Sequence, residues 1–342
     1  MTDLFWKNKA EALDVFSLIE RGVPIVVGCS GGPDSVFLVK LMTAIIDPSL
    51  VNIVYVNHGL RSFHEIDTER QLVAELSEKS GAIFWYETAD VNGYAARHAC
   101  GVEAAGRYLR HKILFEIAAK TQATSVALGH HHDDSVETAV MKWFRGARSG
   151  LFGLKPSRQF FNGIRIIRPL LRMNKNEILK ILKEKEIVYS HDVTNQDVAY
   201  KRNQIRHEVL PKLRHLIPKF DDKVSQLLSL LQQKHDRVER IEIPYMKFLV
   251  INGNKARYPL DVLRAQGDEA LASLLKRICE GVYDAFFSTP STVHVESKHI
   301  VILCDSVRKS KGKIELPRRV FAVIDPRGSV CFSKSYHGEI SE

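Results

Sequence analysis

Apolar residues along this chain of 342 residues fall into two kinds of run that alternate. Short runs rich in β-branched and aromatic residues predict four strands: Val23-Pro24-Ile25-Val26-Val27, Val51-Asn52-Ile53-Val54-Tyr55-Val56, Ala82-Ile83-Phe84-Trp85-Tyr86 and Ser125-Val126-Ala127-Leu128-Gly129. Between them lie longer stretches whose apolar residues recur three and four positions apart. These predict helices over 1–22, 36–46, 64–80 (Ile66, Leu72, Val73, Leu76) and 103–120, and one starting near Asp133. Strands and helices alternating at this spacing predict an α/β protein with a parallel sheet covered on both faces. Gly, Ser and Arg crowd residues 146–163, which predicts a loop; helical spacing resumes at 174–186 and 203–216. Pro218 and the pair Asp221-Asp222 mark a boundary, giving expected domains of 1–217 and 218–342. The second opens on a helical run (Val224, Leu227, Leu228, Leu230, Leu231). It closes on strand-like runs, His299–Leu303 and Arg319–Ile324, so a smaller α+β domain is expected.

In parallel sheets ligands bind at the carboxyl ends of the strands. Three of the four predicted strands end in reactive residues: Ser30–Ser35, Asn57-His58 and His130–Asp134. The first of these, Gly28-Cys29-Ser30-Gly31-Gly32-Pro33-Asp34-Ser35, stands between a strand and a helix. Such a turn aims backbone N–H groups and a helix N-terminus at one point, which favours a bound phosphate. Gly31 and Gly32 allow close approach, and Ser30 and Ser35 add hydroxyls. Asp34 repels phosphate unless a cation lies between them, which makes it a candidate Mg²⁺ ligand. The Walker pattern G-x-x-x-x-G-K-[ST] and the dinucleotide pattern G-x-G-x-x-G are both missing from this loop.

The segment Gly129-His130-His131-His132-Asp133-Asp134-Ser135-Val136-Glu137-Thr138 ranks next. Adjacent residues on a turn cannot all face one tetrahedral ion, which argues against zinc. One aspartate can serve as a helix cap. Asp133 or Asp134, with Glu137 one turn on, can also hold Mg²⁺ or orient a cationic substrate. His58 lies beside the phosphate loop. Glu103, Arg107 and Arg110 share a helical face, which suits either solvated ion pairs or an arginine reaching a phosphate of ATP or RNA.

Charge sharpens the picture. The net charge of +9 and pI of about 9.2 suggest a polyanionic partner. Arg168-Pro169-Leu170-Leu171 and Tyr200–His207 form a basic region, and Lys201, Arg202, Arg206, Lys212 and Arg214 suit a phosphodiester-binding surface better than a solvated face. Five scattered cysteines (Cys29, Cys100, Cys279, Cys304, Cys331) include no C-x-x-C pair, as expected of reduced thiols in the cytoplasm. Without an apolar leader or an apolar run of about 18 residues, neither a signal peptide nor a membrane span is expected.

These segments together resemble the tRNA(Ile)-lysidine synthase family, within the PP-loop class of ATP pyrophosphatases. The shared features, in order through about residue 215, are S-G-G-P-D-S, N-H-G-L-R, a helix with E-x-x-x-R-x-x-R, G-H-H-H-D-D-S-x-E-T, the Arg145–Gly153 loop, R-P-L-L and R-N-x-I-R. The resemblance covers nearly two thirds of the chain and is loose beyond that. It implies a PP-loop, adenine nucleotide alpha hydrolase-like domain followed by a C-terminal tRNA-binding domain. It implies ATP and Mg²⁺ as cofactors, with free L-lysine and a CAU-anticodon tRNA(Ile) as substrates. The reaction joins lysine to C2 of the wobble cytidine through an adenylated base. The residues it implies as catalytic are Asp34, Asp133, Asp134, Glu137, His58 and Arg107. Ser30, Gly31, Gly32, Pro33, Asp34 and Ser35 would hold the nucleotide, with Asp34 and Asp134 on the metal. His131, Arg110, Arg145, Arg202, Asn203 and Arg206 would bind substrates. A homodimer is one assembly open to such an enzyme. Four positions depart from the family pattern: Ser135 for Gln, Gly106 for Ala, His111 for Tyr and Arg148 for Gly. The main rival is a PP-loop tRNA thiolase, which needs a persulfide cysteine or an iron–sulfur site. Cys29 and Cys100 are the nearby candidates.

Overall fold

The computed structural model describes residues 2–144, 153–159, 163–190, 204–287 and 295–334. It divides into two compact units, Met1–Gln232 and Gln233–Glu342. Six strands form one sheet in the first unit: β1 (Ile25–Gly28), β2 (Val51–Asn57), β3 (Ile83–Thr88), β4 (Ser125–Ala127), β5 (Ser157–Gln159) and β6 (Arg165–Ile167). Their order is β3-β2-β1-β4-β6-β5, parallel throughout except for β5, which runs antiparallel to β6 at the edge.

The continuous apolar runs have a direct cause, because both faces are covered. On one face Ile25, Val27, Ile53 and Tyr55 pack with helices α1 (Thr2–Ala12), α2 (Pro33–Thr43) and α3 (Phe63–Ser80). On the other, Val26, Val54 and Val126 meet Leu114, Phe115 and Ala118 of α5 (Val102–Lys120), which follows the short α4 (Val91–His98). Ser62 and Glu65 form a reciprocal capping box that starts α3, and Gly81 ends it in the left-handed conformation (φ 72°). Next come α6 (His132–Phe144), α7 (Lys175–Glu184), a π turn (Ile205–Val209), α8 (Leu210–Leu216) and the long α9 (Phe220–Met246). Phe220, Val224 and Leu228 of α9 pack with Val136, Ala139 and Val140 of α6. This contact extends the first unit past Ile217 to Gln232.

Three sequence-based expectations need correction. The first helix stops at Ala12; Asp14 turns left-handed (φ 57°) and a short 3-10 turn follows over Val15–Ser17. The stretch 146–163 is not wholly loop, since Ser157–Gln159 forms an edge strand. His299–Leu303 is helical, inside Ser297–Lys309. There Ile300, Leu303 and Val307 are buried while Val301 and Ile302 face solvent, the spacing of a helix face.

The second unit carries a five-stranded antiparallel sheet in the order β7-β8-β11-β10-β9. Its strands are β7 (Val250–Asn252), β8 (Lys255–Pro259), β9 (Gly312–Leu316), β10 (Val320–Asp325) and β11 (Ser329–Ser333). Helices α10 (Leu260–Arg264), α11 (Asp268–Phe287) and α12 (Ser297–Lys309) share its core through Leu263, Leu275, Ile278 and Val307. Among the described residues no helix is long and apolar enough to cross a membrane.

Candidate active site at the carboxyl ends of the parallel strands

The chain leaves β1 through Gly28–Gly32 and enters α2 at Pro33, whose fixed φ suits the first helical position. Gly32 stands at the N-cap and supplies no side chain, so no side chain caps the first-turn amides of α2. Gly31 is left-handed (φ 80°), and its carbonyl accepts a hydrogen bond from the Ser190 amide at 2.8 Å. The Ser35 hydroxyl is buried and braces the loop: it accepts from the Ser30 amide at 3.2 Å and donates to the Gly32 carbonyl at 2.9 Å. Beneath the loop lies Cys29, whose thiol burial pushes upward in pKa despite nearby donors at Gly31 and Ser35.

β4 exits directly against this loop. A Cβ at Gly129 would stand 3.1–3.2 Å from the backbone of Asp34 and Ser35, so glycine is what lets the two segments meet there. The close approach places the start of α6 beside Asp34. His131 Nε2 lies 3.7 Å from Asp34 Oδ2 and 3.5 Å from Asp134 Oδ2, and its Nδ1 lies 3.5 Å from Asp133 Oδ2. Burial alone would disfavour the His131 cation; the three carboxylates outweigh it and raise the pKa. Burial likewise opposes ionisation of Asp133. His131, the Lys175 amide (2.9 Å) and Arg214 (2.5 Å) nevertheless hold its carboxyl far below the ordinary range.

Cations knit the cluster together. Lys175 Nζ donates to both Asp34 oxygens at 2.7 Å. Arg206 donates to Glu137 from Nε at 2.6 Å and from Nη2 at 3.0 Å, and to Asp134 from Nη2 at 3.2 Å. Glu137 is only 1% exposed, so the guanidinium lies over a buried carboxylate. Arg214 also pairs with Asp221 at 2.9 Å, and His132 Nε2 lies 2.6 Å from Ser225 Oγ. Arg206, half-buried, and Arg214, exposed, are thus ion-paired to carboxylates of the same chain.

The structure brings Asp34, His131, Asp133, Asp134, Glu137 and Arg206 together. Arg107 and Arg110 lie on α5, and His58 lies against the same helix, its Nδ1 3.9 Å from where a Cβ on Gly106 would stand. Burial, then Arg110 and Arg61, push the His58 pKa down to about 4, and its Nδ1 is buried without a hydrogen-bond partner. Arg145, Arg202 and Asn203 lie outside the described residues. Sequence reasoning missed Lys175 and Glu69. Lys175 opens a helix whose start is signalled by the Asn174–Glu177 capping box, so a helix N-terminus at a strand's carboxyl end was the available clue. Glu69 is buried, bound to Arg61 and to the Tyr55 hydroxyl at 2.9 Å, and only the fold shows it near the loop.

For the metal assigned to Asp34 and Asp134, the donor set is incomplete: among the described residues no group of three or more His, Cys, Asp or Glu side chains is arranged to hold an ion. One or two carboxylates suffice for Mg²⁺ when phosphate oxygens and water complete the shell. Asp34 already faces a cation, the Lys175 ammonium.

Comparison with known proteins agrees with this geometry. The family model described as PP-loop domain matches residues 8–213. A curated tRNA(Ile)-lysidine synthase from Geobacillus kaustophilus is 27% identical over 308 residues, covering 88% of this chain and 65% of that protein. Another from Lactiplantibacillus plantarum is 38% identical over 223 residues, covering 63% of this chain and 48% of that protein. The chain thus spans about half to two thirds of the length of these relatives. Among solved structures, the U34-tRNA thiolase NcsA from Methanococcus maripaludis, with its 4Fe-4S cluster, aligns with a TM-score of 0.56 at 18% identity. That alignment covers 68% of this chain and 80% of the thiolase, a likeness of fold.

Proposed function

For a chain that belongs to the PP-loop domain family, with the site just described, we propose ATP-dependent ligation of L-lysine to C2 of the wobble cytidine in a CAU-anticodon tRNA(Ile). The product, lysidine, shifts codon reading from AUG to AUA. The observation that carries this reading is the juxtaposition of an anion-binding loop with a carboxylate cluster that already receives a primary ammonium. The loop offers amides to a phosphate at the start of α2, while Asp34 holds the ammonium of Lys175. Free lysine presents the same ammonium on the same four-carbon stem. The curated relatives named as lysidine synthases support the assignment.

In the first step the C2 carbonyl oxygen of cytidine attacks the α-phosphate of ATP. The bond from that phosphorus to the bridging oxygen breaks, and pyrophosphate leaves. Residues 30–35 bind the phosphates through backbone amides, and the buried Ser35 hydroxyl keeps the loop in shape. Mg²⁺ held by Asp34 and Asp134 would neutralise phosphate charge. In the second step the lysine ε-ammonium loses a proton to solvent, the free amine attacks C2, the bond from C2 to the adenylate oxygen breaks, and AMP leaves. Burial opposes the His131 cation, and the three carboxylates around it outweigh burial and raise its pKa. His58 stays neutral at neutral pH. Arg206 holds Glu137 in place beside Asp134. Positioning and electrostatics carry such transfers. The C-terminal unit binds the tRNA body, and the cytidine unstacks to enter the pocket, as a single-stranded loop permits.

The thiolase reading has less support, because the buried Cys29 thiol has a raised pKa and is a poor nucleophile. The test is release of pyrophosphate and AMP from ATP by the purified protein. Release that requires unmodified tRNA(Ile) with CAU, and reaches AMP only with lysine, is the expected result. Turnover without RNA, or dependence on a sulfur donor instead of lysine, would overturn the reading.

A further inference from the structure

Among the described residues, Glu69 of α3 is the one buried carboxylate outside the acidic cluster, at 6% exposed. Three segments donate to it. Its Oε2 accepts from the Tyr55 hydroxyl of β2 at 2.9 Å. Its Oε1 accepts from Arg61 Nη1, in the loop after β2, and from the Ser190 hydroxyl at 3.3 Å, in the chain that follows α7. The Ser190 amide in turn donates to the Gly31 carbonyl at 2.8 Å. Glu69 is therefore two hydrogen bonds away from the backbone of the glycine-rich loop.

The loop also rests on the helix that carries Glu69. Leu72 and Val73 lie three and four positions further along α3 and share its face. A Cβ on Gly31 would stand 3.6–3.7 Å from Leu72, Val73 and Ser190, in ordinary contact with all three. Burial is the largest cause of the raised Cys29 pKa, and the Glu69 charge adds to it, so the carboxylate lies within electrostatic reach of the loop. A buried ion pair such as Arg61–Glu69 adds little net stability, because desolvation offsets the attraction. What it supplies is a fixed geometry. A planar trans peptide points its C=O and its N–H in opposite directions. By holding the Gly31 carbonyl, the Ser190 amide sets the direction of the Gly32 N–H, at the N-cap of α2.

We propose that Glu69 is a positioning residue for the phosphate loop: through the Ser190 hydroxyl it holds the Ser190 amide on the Gly31 carbonyl, and so keeps the Gly32 amide turned toward the phosphates of the nucleotide. This rests on the proposed function in one respect, that the loop binds ATP.

The test compares the whole chain carrying Glu69→Leu, Glu69→Gln or Ser190→Ala with wild type. Hydrogen exchange of residues 28–35 is read without nucleotide, and Km and kcat for ATP are read from pyrophosphate release. Glu69→Leu removes both acceptor oxygens, whereas Glu69→Gln keeps one for the Ser190 hydroxyl. Ser190→Ala cuts the link and leaves Tyr55 and Arg61 on Glu69. Glu69→Leu should speed exchange in the loop and raise the Km for ATP roughly tenfold, the scale of a hydrogen bond to a charged group, with kcat little changed. Ser190→Ala should act in the same direction by a smaller factor, and Glu69→Gln should restore most of the wild-type behaviour. A merely structural role would shrink the folded fraction, lowering kcat and leaving the Km alone. Circular dichroism establishes that each variant is folded, and Ser190→Ala carries the test if Glu69→Leu is not tolerated. Loop exchange and Km equal to wild type in the folded variants would overturn the proposal, as would a loss confined to kcat. Because exchange is read without nucleotide, a wild type that releases no pyrophosphate would sink the proposed function, while the loop exchange would still decide whether Glu69 holds the loop.

Discussion

Replacing Arg206 with methionine removes three charge-assisted hydrogen bonds, at 2.6 and 3.0 Å to Glu137 and 3.2 Å to Asp134. Methionine keeps much of the stem volume, so the loss is mainly one of charge. Glu137 is 1% exposed, and the change removes the guanidinium that donates to both of its carboxylate oxygens. Breaking a buried pair from one side costs about 3–5 kcal/mol. The Arg206 side chain is 31% exposed, so water can reach part of the gap, and the lower end, about 3 kcal/mol, is expected. For a unit of this size that corresponds to a fall in Tm of roughly 6–12 °C. The assay is thermal unfolding of wild type, Arg206→Met, Glu137→Gln and the double variant. The double variant should recover at least about 1 kcal/mol relative to the sum of the singles. A loss below about 1 kcal/mol at neutral pH, or a cycle additive within about 0.5 kcal/mol, would refute the reasoning.

Gly129→Ala places a methyl 3.1–3.2 Å from the backbone of Asp34 and Ser35; the loop must shift by tenths of an ångström, and the Km for ATP should rise roughly tenfold. An unchanged Km would show that β4 does not set the loop. Asp133→Asn should lower the His131 pKa, read by NMR titration of the imidazole, since Asp133 is one of the groups that raise it. The raised His131 pKa contributes stability that is complete below the ordinary 6.5 and lost as pH rises through the folded value. The depressed Asp133 contributes stability present above the ordinary 3.8 and lost on acidification through its folded value, so the pair is strongest between those limits. A His131 titration unmoved by Asp133→Asn would contradict the coupling. Lys175→Met frees Asp34 and should lower the Mg²⁺ concentration for half-maximal pyrophosphate release severalfold; a higher requirement would show that Lys175 assists rather than competes.

The strands of the first sheet were legible because burial on both faces forces continuous apolar runs, and the glycine-rich loop was legible because its chemistry is local. β6 escaped notice because only Arg165–Ile167 pair, too short a run to carry a period. α4 escaped because Val91–His98 includes Gly93 and buries little beyond Val91 and Ala95. The run Ile300–Leu303 is β-branched and reads as strand, yet packing on α11 selects the helix, a tertiary override of propensity. The carboxylates of the site were visible as an acidic patch at a strand end. Their cationic partners were not, because Lys175 lies 141 residues after Asp34, Arg206 69 and 72 residues after Glu137 and Asp134, and Arg214 81 residues after Asp133, and they meet only through the fold. Arg206 and Arg214 read as part of a basic stretch, and only the fold shows the carboxylates they pair with.

The most direct test of the central claim is incorporation of labelled lysine into RNA by the purified chain with ATP and Mg²⁺. Unmodified tRNA(Ile) with CAU is the substrate, and the methionine tRNA with the same anticodon is the control. The account predicts label in the wobble nucleoside of the isoleucine tRNA alone, recovered after nuclease digestion as cytidine joined to lysine. Pyrophosphate release with an unlabelled wobble position, or equal labelling of both tRNAs, would contradict it.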